Sequence, residues 1–277
     1  MKRTFSILTG SPLSALGVFL VGAVVLSAIF ADFVVPFPEH RGAVVDFANF
    51  NQPPSWQNLF GTDLVGRDLF SRVIFAYRIS LILGIVVLAV AVPVGVTVGL
   101  VAGYLGGWTE TVLMRITDVF LSIPPLVLAM SMMGLLEPTL TNGMLAVTVM
   151  WWPWYTRLVY NITRSEKEEG YVLAAEVIGA SKLHIIFREI LPNCLPAILT
   201  KMTLDLGFVI LIASSLSFLG LGVQPPTPDL GSMVADGAKY LPDSWWLTVF
   251  PGLAILVAVF GFNLLGDALR EILGVDQ

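Results

Sequence analysis

The sequence predicts an all-α integral membrane protein with six transmembrane helices. Hydrophobic residues make up 56% of the 277 and charged residues only 13%, with a mean hydropathy of +0.84, whereas soluble chains carry about 25% charge. The apolar residues gather into runs long enough to cross a hydrocarbon core of ~30 Å, which takes about 20 helical residues. Between the runs lie polar segments, one of them a charged, amphipathic island between the fourth and fifth runs.

The runs extend from about Leu13 to Val35, Ile79 to Tyr104, Val112 to Leu136, Met144 to Tyr160, Leu195 to Leu221 and Leu247 to Leu269. The first follows Met1-Lys2-Arg3 but lacks a small-x-small cleavage site before Asp32, so it is expected to be a retained span rather than a signal peptide. Pro36 to Trp56 is rich in Pro, Asn, Gln and aromatic residues and has no periodic run, the pattern of an ordered loop. Pro93 and Pro124-Pro125 interrupt spans where a helical hydrogen bond is lost, and are expected to give fixed bends. Cys194 is the single cysteine; it excludes an internal disulfide framework and is expected to be a small packing residue.

Lys and Arg set the expected orientation. With the N-terminus in the cytoplasm, ten of the 15 basic residues fall on the inside and Arg41, Arg67, Arg72, Arg78 and Lys239 fall outside, which agrees with the positive-inside rule. Both termini and the segment from about 161 to 194 are then cytoplasmic. The net charge of −5 and the absence of a basic cluster give no sign of nucleic-acid binding.

The polar island carries its own pattern. Ser165-Glu166-Lys167-Glu168 has capping-box spacing, which predicts that a short helix begins there. Tyr171, Ala174, Ala175 and Ile178 then fall on one helical face as a narrow apolar stripe. Gly179 can adopt a left-handed turn, Ser181 can cap a second helix, and Leu191-Pro192 is expected to end it. An amphipathic pair lying on lipid would share this periodicity. However, Glu166, Glu168, Glu169, Glu176 and Glu189 outnumber Lys167, Lys182 and Arg188, a balance that suits a protein socket better than anionic lipid.

Other candidate groups have plain structural readings. His40 and His184 are far apart in the predicted topology and are expected to be surface or capping residues, not a metal pair. Asp118 is expected to pair with Arg115, Asp205 with Lys201, and Asn263 and Asp267 with Arg270. Asp205, Gly207, Ser214, Ser215 and Ser217 make the fifth run the least uniformly apolar, which suits either a polar pathway or close helix packing. No phosphate-binding loop and no catalytic constellation is found, so the chain is not expected to be an enzyme.

These residues resemble a known family. Ala174-Ala175, Gly179 and Leu191-Pro192 match the loop of ABC importer membrane subunits written Glu-Ala-Ala, three residues, Gly, nine residues, Ile-x-Leu-Pro. The chain resembles in particular the second (C-type) permease of the dipeptide/oligopeptide/nickel importers, through Phe60 to Arg72, Ala102 to Gly107 with Met114 to Asp118, Leu216 to Pro228, and Phe250 to Gly252 with Asn263 to Arg270. It departs from the pattern at Leu173, where the loop has Glu, and at Glu189, where it has Ile. Gly170, Tyr160 and Leu230 also depart from residues common in the group.

The resemblance implies a type I ABC importer transmembrane domain, a MetI-like core of five helices plus an N-terminal helix. It implies residues 1–36 as N-terminus and first span, 37–77 as an extracytoplasmic loop, 78–270 as the transmembrane domain with a coupling loop at 165–192, and 271–277 as a cytoplasmic tail, in a plasma (inner) membrane. Its implied partners are a homologous second permease, two ATP-binding subunits that use ATP and Mg, and an extracytoplasmic substrate-binding protein, alongside membrane lipid. The chain itself is expected to bind no cofactor. Tyr171, Ala174, Ala175, Glu176, Gly179, Ala180 and Ser181 would couple to the ATPase. Asp205, Ser214, Ser215 and Ser217 are candidates for the pathway. Asp63, Arg67 and Asp68 would contact the binding protein, although Gly and Asp at these spacings also build tight turns. The implied cargo is a small peptide, with nickel-chelate, an opine, a sugar or another small solute on the same architecture. A secondary transporter driven by an ion gradient would instead show paired mid-span charged sites, which the sequence lacks.

Overall fold

The computed structural model describes residues 11–274; Lys2, Arg3 and the end of the tail, 275–277, lie outside the described residues. The chain is helical and without strands among those residues. Its helices are α1 (Pro12–Ile29), α2 (Ala31–Val34), α3 (Leu69–Leu105), α4 (Gly107–Ser122), α5 (Pro125–Met133), α6 (Leu140–Glu166), α7 (Gly170–Val177), α8 (Lys182–Phe218), α9 (Leu230–Ala238) and α10 (Trp246–Leu273). By length and composition α1, α3, α8 and α10 can each cross a membrane, and α4 with α5 forms a broken fifth segment bent by 84°. The helix α6 matches the predicted fourth span but is less apolar. It carries Arg157, Arg164 and Glu166.

Several boundaries differ from expectation, each for a local reason. The first span ends at Ile29, where Phe30 leaves helical geometry, and α2 is a separate turn. The second begins ten residues before Ile79, because the Asp68 carboxylate caps α3 by accepting from the Ser71 N–H at 2.8 Å. At 37 residues and 1.5 Å per residue, α3 is about 56 Å long and projects beyond a bilayer core. The third span breaks at Pro124-Pro125, where the residue before a proline is pushed out of helical geometry. Pro93, by contrast, stays inside a continuous α3, and its carbonyl accepts from Thr97 Oγ1 at 2.7 Å.

The packing centre is the pair α3 and α6. Gly95, Gly99 and Gly103 lie one helical turn apart on α3, facing α6. A methyl group added at Gly95 would sit 2.4 Å from the Trp152 carbonyl oxygen, and one at Gly99 2.7 Å from that of Thr156. Side chains are excluded from this seam. In lipid, where apolar burial between helices gains little, such close backbone approach is what holds helices together.

Two apolar clusters result. One joins α3, α5, α6, α7 and α8 around Tyr155, Leu100 and Ile190. The other joins α1, the start of α3, α9 and α10 around Leu69, Leu230 and Trp246. The second cluster is roofed by residues 36–68, which form the expected ordered loop. Asp46 N–H donates to the Val65 carbonyl at 2.8 Å, Thr62 and Asp68 form an isolated bridge, and Trp246 Nε1 donates to the Thr62 carbonyl at 3.3 Å. The bundle thus has a Trp246 end, with this loop and α9, and a Gly179 end, with α7.

Candidate functional site: the loop at the Gly179 end

The capping box expected at Ser165 does not form. Helix α6 runs on through Ser165 to Glu166, and α7 starts at Gly170 behind Glu169 in extended geometry. The basis of the difference is that α6 meets no helix breaker before Gly170, so propagation continues past the predicted start. Farther on, Gly179 takes φ +85°, the left-handed geometry expected of it. The Ser181 hydroxyl accepts from His184 N–H at 3.3 Å and caps the next helix.

Leu191-Pro192 does not end that helix. Residues Ile185–Ile190 form a π-turn that leads directly into Leu191–Phe218. A π-turn spans one more residue per hydrogen bond, so the chain reaches Pro192 already re-registered and continues past a residue that cannot donate. The second loop helix is therefore the start of the fifth span, and together they make one 37-residue helix.

Helix α7 splits into two faces. Val172 and Ala175 turn inward and are buried against the chain itself. Ala175 is thus a packing residue and is not available on the surface. Outward stand Tyr171, Leu173, Ala174, Val177 and Ile178, and beyond the Gly179 turn Ser181 and Leu183; Ala180 is half-buried. Val177 and Ile178 are 87% and 83% exposed. Beyond the expected stripe, sequence reasoning missed Val177 and Leu183. Their signal was available, because large aliphatic residues at a polar loop's turn have no core to fill.

Two phenols brace this knob. Tyr104, at the end of α3, donates to Glu176 Oε1 at 2.9 Å, with Lys167 Nζ 5.4 Å from the Tyr104 ring centre. Tyr171 donates to Glu166 at the end of α6 and accepts from Asn193 Nδ2 on α8 at 2.8 Å. Desolvation, reinforced by Glu166, pushes the Tyr171 hydroxyl up to about 12, so it remains a donor at neutral pH. α7 is therefore tied to the ends of α3 and α6 and to α8 at Asn193. Nearby, Tyr160 donates to Glu110, and Arg164 Nη1 donates to the Tyr160 hydroxyl at 3.2 Å, joining α4 to α6.

The fifth-span candidates separate. Asp205 is buried, accepts from Trp151 Nε1 at 2.9 Å and pairs with Lys201 at 3.1 Å, as expected for Lys201. Ser214 and Ser217 are buried in this chain's own packing: Ser214 backbone lies against Gly231 of α9, and Ser217 against Gly222. Ser215 is the least buried of the four, being half-buried, with its hydroxyl returned to the Leu211 carbonyl. Asp118 pairs with Arg157 of α6 and not with Arg115, since α4 packs on α6 there. Asn263 Nδ2 donates to the Val259 carbonyl instead of pairing with Arg270, one turn back along its own helix.

At the Trp246 end, Asp63 folds the loop. One oxygen accepts from Val65 and Arg67 N–H at 3.0 and 2.9 Å, the other from Arg67 Nε at 2.7 Å. Gly61 and Gly66 have positive φ on either side. Asp68 is fully buried at the α3 cap and offers no surface to a partner. Burial raises its carboxyl above the ordinary 3.8. His40 is also buried rather than on the surface. Its Nδ1 accepts from Asp68 N–H at 2.8 Å and its ring stacks on Phe37 at 5.0 Å.

Residues 95–274 match the family model described as "Binding-protein-dependent transport system inner membrane component". The chain is 42% identical over 266 residues to the "Probable D,D-dipeptide transport system permease protein DdpC" of Escherichia coli K12, covering 96% of this chain and 88% of that protein. It is 38% identical over 267 residues to the dipeptide transport system permease protein DppC of Haemophilus influenzae, covering 93% and 88%. To the glutathione transport system permease protein GsiD of Shigella flexneri it is 41% identical over 249 residues, covering 90% and 82%. Among solved structures, the inward-facing MetNI methionine ABC transporter superposes with a TM-score of 0.57 at 20% identity, over 76% of this chain and 96% of that one, a likeness of fold.

Proposed function

The chain belongs to the binding-protein-dependent transport system inner membrane component family, and from that premise we propose that it moves small peptides through an ATP-driven importer. It is a membrane permease subunit with no hydrolytic site of its own, and ATP is used by partner ATPases. The proposed complex has a second, homologous permease, two ATP-binding subunits and an extracytoplasmic binding protein. Peptide cargo is supported by the relatives, which are dipeptide, D,D-dipeptide and glutathione permeases.

The single observation that carries the coupling role is the exposed apolar knob of Leu173, Val177, Ile178 and Leu183 around the Gly179 turn, braced to three spanning helices. Exposed large aliphatic residues on a tied-down turn suit docking to a protein partner. We assign this knob to the ATPase, so the Gly179 end is cytoplasmic and the Trp246 end faces outside, consistent with the distribution of Lys and Arg. The transmembrane domain is assigned to 78–270 with its coupling loop at 165–192, preceded by the first span and an outer loop at 37–77.

When ATP draws the ATPases together, each knob moves with its ATPase. Tyr104, Glu166 and Asn193 then carry the displacement into α3, α6 and α8, and the spans rock between outward and inward openings. ATP and loaded binding protein must favour the same conformation for either to shift the population. Ser215, half-buried on α8, is the remaining pathway candidate among the four.

The test is ATP-dependent uptake of a labelled dipeptide into proteoliposomes containing the complete complex, with binding protein added on the side that the Trp246 end faces. Uptake that requires both ATP and binding protein is expected. Dipeptide flux by this chain alone, driven by an ion gradient without ATP, would overturn the importer reading.

A further inference from the structure

At the Trp246 end a cavity of about 170 Å³ opens between the Asp63–Arg67 turn, the start of α3, the segment around Thr227, and α9. Its polar lining is Asp63, Arg67, Arg72, Thr227, Ser232 and Asp236. Arg72 is only 4% exposed. Its Nη1 donates to the carbonyls of His40 at 3.1 Å and Pro226 at 3.4 Å, and its Nε faces Asp63 Oδ2 at 3.5 Å.

That same Asp63 oxygen already accepts from Arg67 Nε at 2.7 Å, while the other accepts two backbone N–H groups. Arg67 Nη1 reaches the Gly42 carbonyl at 3.4 Å. One saturated carboxylate thus serves two guanidinium groups. Nη2 of each arginine has no acceptor among the described residues. Asp236 on the rim acts electrostatically on Arg72 as well, but it is mostly exposed and shared with Lys239 Nζ at 3.3 Å, so it offsets the buried charge only in part. A buried cation short of counter-charge is costly. The ligand that fits a guanidinium edge is a carboxylate.

We propose that this cavity is a carboxylate-binding site, filled by an Asp or Glu side chain of the extracytoplasmic binding protein when it docks. The inference rests on the importer reading for the identity of the partner, while the site rests on its own geometry. A tethered carboxylate is favoured over a free one. Glu39, Asp46 and Asp243, which pair with no cation among the described residues, make the surrounding end acidic and repel dilute anions, whereas the rest of a protein interface supplies the effective concentration that holds one acidic side chain in place.

The experiment uses the complete importer in nanodiscs and a fluorescent binding protein, read as equilibrium association. Arg67→Gln is expected to weaken association about tenfold. Thr227→Glu, which removes no hydrogen bond made by the native side chain, fills the site from within the chain and is expected to weaken association about tenfold. Thr227→Gln, of equal length without charge, should change it less than about threefold.

In a second arm, sodium acetate replaces sodium chloride at constant ionic strength and the melting temperature of the complex is followed. A saturable rise in wild type that Thr227→Glu abolishes is expected. Acetate binding with binding-protein association unmoved by any variant would assign the site to a free carboxylate solute and overturn the proposed occupant. No effect in either arm would overturn the site. Acetate binding in a wild-type complex that neither binds the partner nor imports peptide would remove the importer reading and the occupant together, leaving the site.

Discussion

The Tyr104 hydroxyl at the end of α3 donates to Glu176 Oε1 near the end of α7, at 2.9 Å, so one of the two 37-residue helices of the bundle and its exposed Gly179 turn are joined by one hydrogen bond to a charged acceptor. Such bonds contribute about 1.5–3 kcal/mol. Tyr104→Phe and Glu176→Gln should therefore leave ATP hydrolysis running while transport falls, raising ATP consumed per peptide about three- to tenfold. Stoichiometry measured in proteoliposomes checks this, and an unchanged ratio in both variants would falsify the bracing role.

Gly179 combines positive φ with open space around its α-carbon. Gly179→Ala should cost about 1–2 kcal/mol through left-handed strain and retain part of the transport activity. Gly179→Trp meets nothing within this chain, yet it projects bulk at the proposed ATPase contact. Full dipeptide uptake by Gly179→Trp would remove the turn from the coupling surface.

Along the α3–α6 seam the effect is on stability, not on coupling. Gly99→Ala forces its methyl group to within 2.7 Å of the Thr156 carbonyl and should destabilise the fold by about 1–3 kcal/mol. Gly22→Ala, with nothing within 4 Å, provides the comparison. A melting temperature in detergent that falls equally for both would contradict the seam.

Asp205 accepts from Trp151 and Lys201 within the bundle. Asp205→Ala strands the partly buried ammonium and an indole N–H. The cost should be about 3–5 kcal/mol. Adding Lys201→Met removes the stranded charge and should recover a large part, read by thermal unfolding of the double variant.

Asp229 caps α9 through Ser232 N–H at 2.9 Å, and burial raises its carboxyl above the ordinary 3.8. A raised carboxyl binds its proton more tightly in the folded chain than in the unfolded one. Its contribution therefore favours folding at acid pH and declines as pH rises from about 3.8 through the folded value. Asp229→Asn preserves a good N-cap and should flatten that part of the stability profile. An unchanged slope in pH-dependent melting would count against it.

Much of the fold was legible because its signals are local. Apolar runs located α3, α8 and α10, and Pro124-Pro125 marked the break between α4 and α5. Gly179 and Ser181 were recognisable from the conformations and caps that only such residues supply readily. Harder to see were features that depend on a partner helix. Gly95, Gly99 and Gly103 form a seam only because α6 lies opposite. Ala174 and Ala175 are adjacent in a motif, yet the first is exposed and the second buried, a split set by the packing of Val172 and Ala175 against the bundle. The passage through Leu191-Pro192 depends on a π-turn, which has no compositional marker. Arg72 read as one basic residue among several, and its burial became visible only once residues 36–68 were folded over it.

The glycine seam also bears on how the protein is made. Its two halves are not consecutive in the chain, since α4 and α5 intervene before α6 begins at Leu140. At roughly 5–20 residues per second, α3 leaves the ribosome several seconds before its mate. During that interval its bare backbone stripe faces lipid or the insertion machinery. Biogenesis therefore has a vulnerable waiting period, and an alteration in the α4–α5 segment that delays α6 lengthens the exposure even where the finished packing would be unchanged.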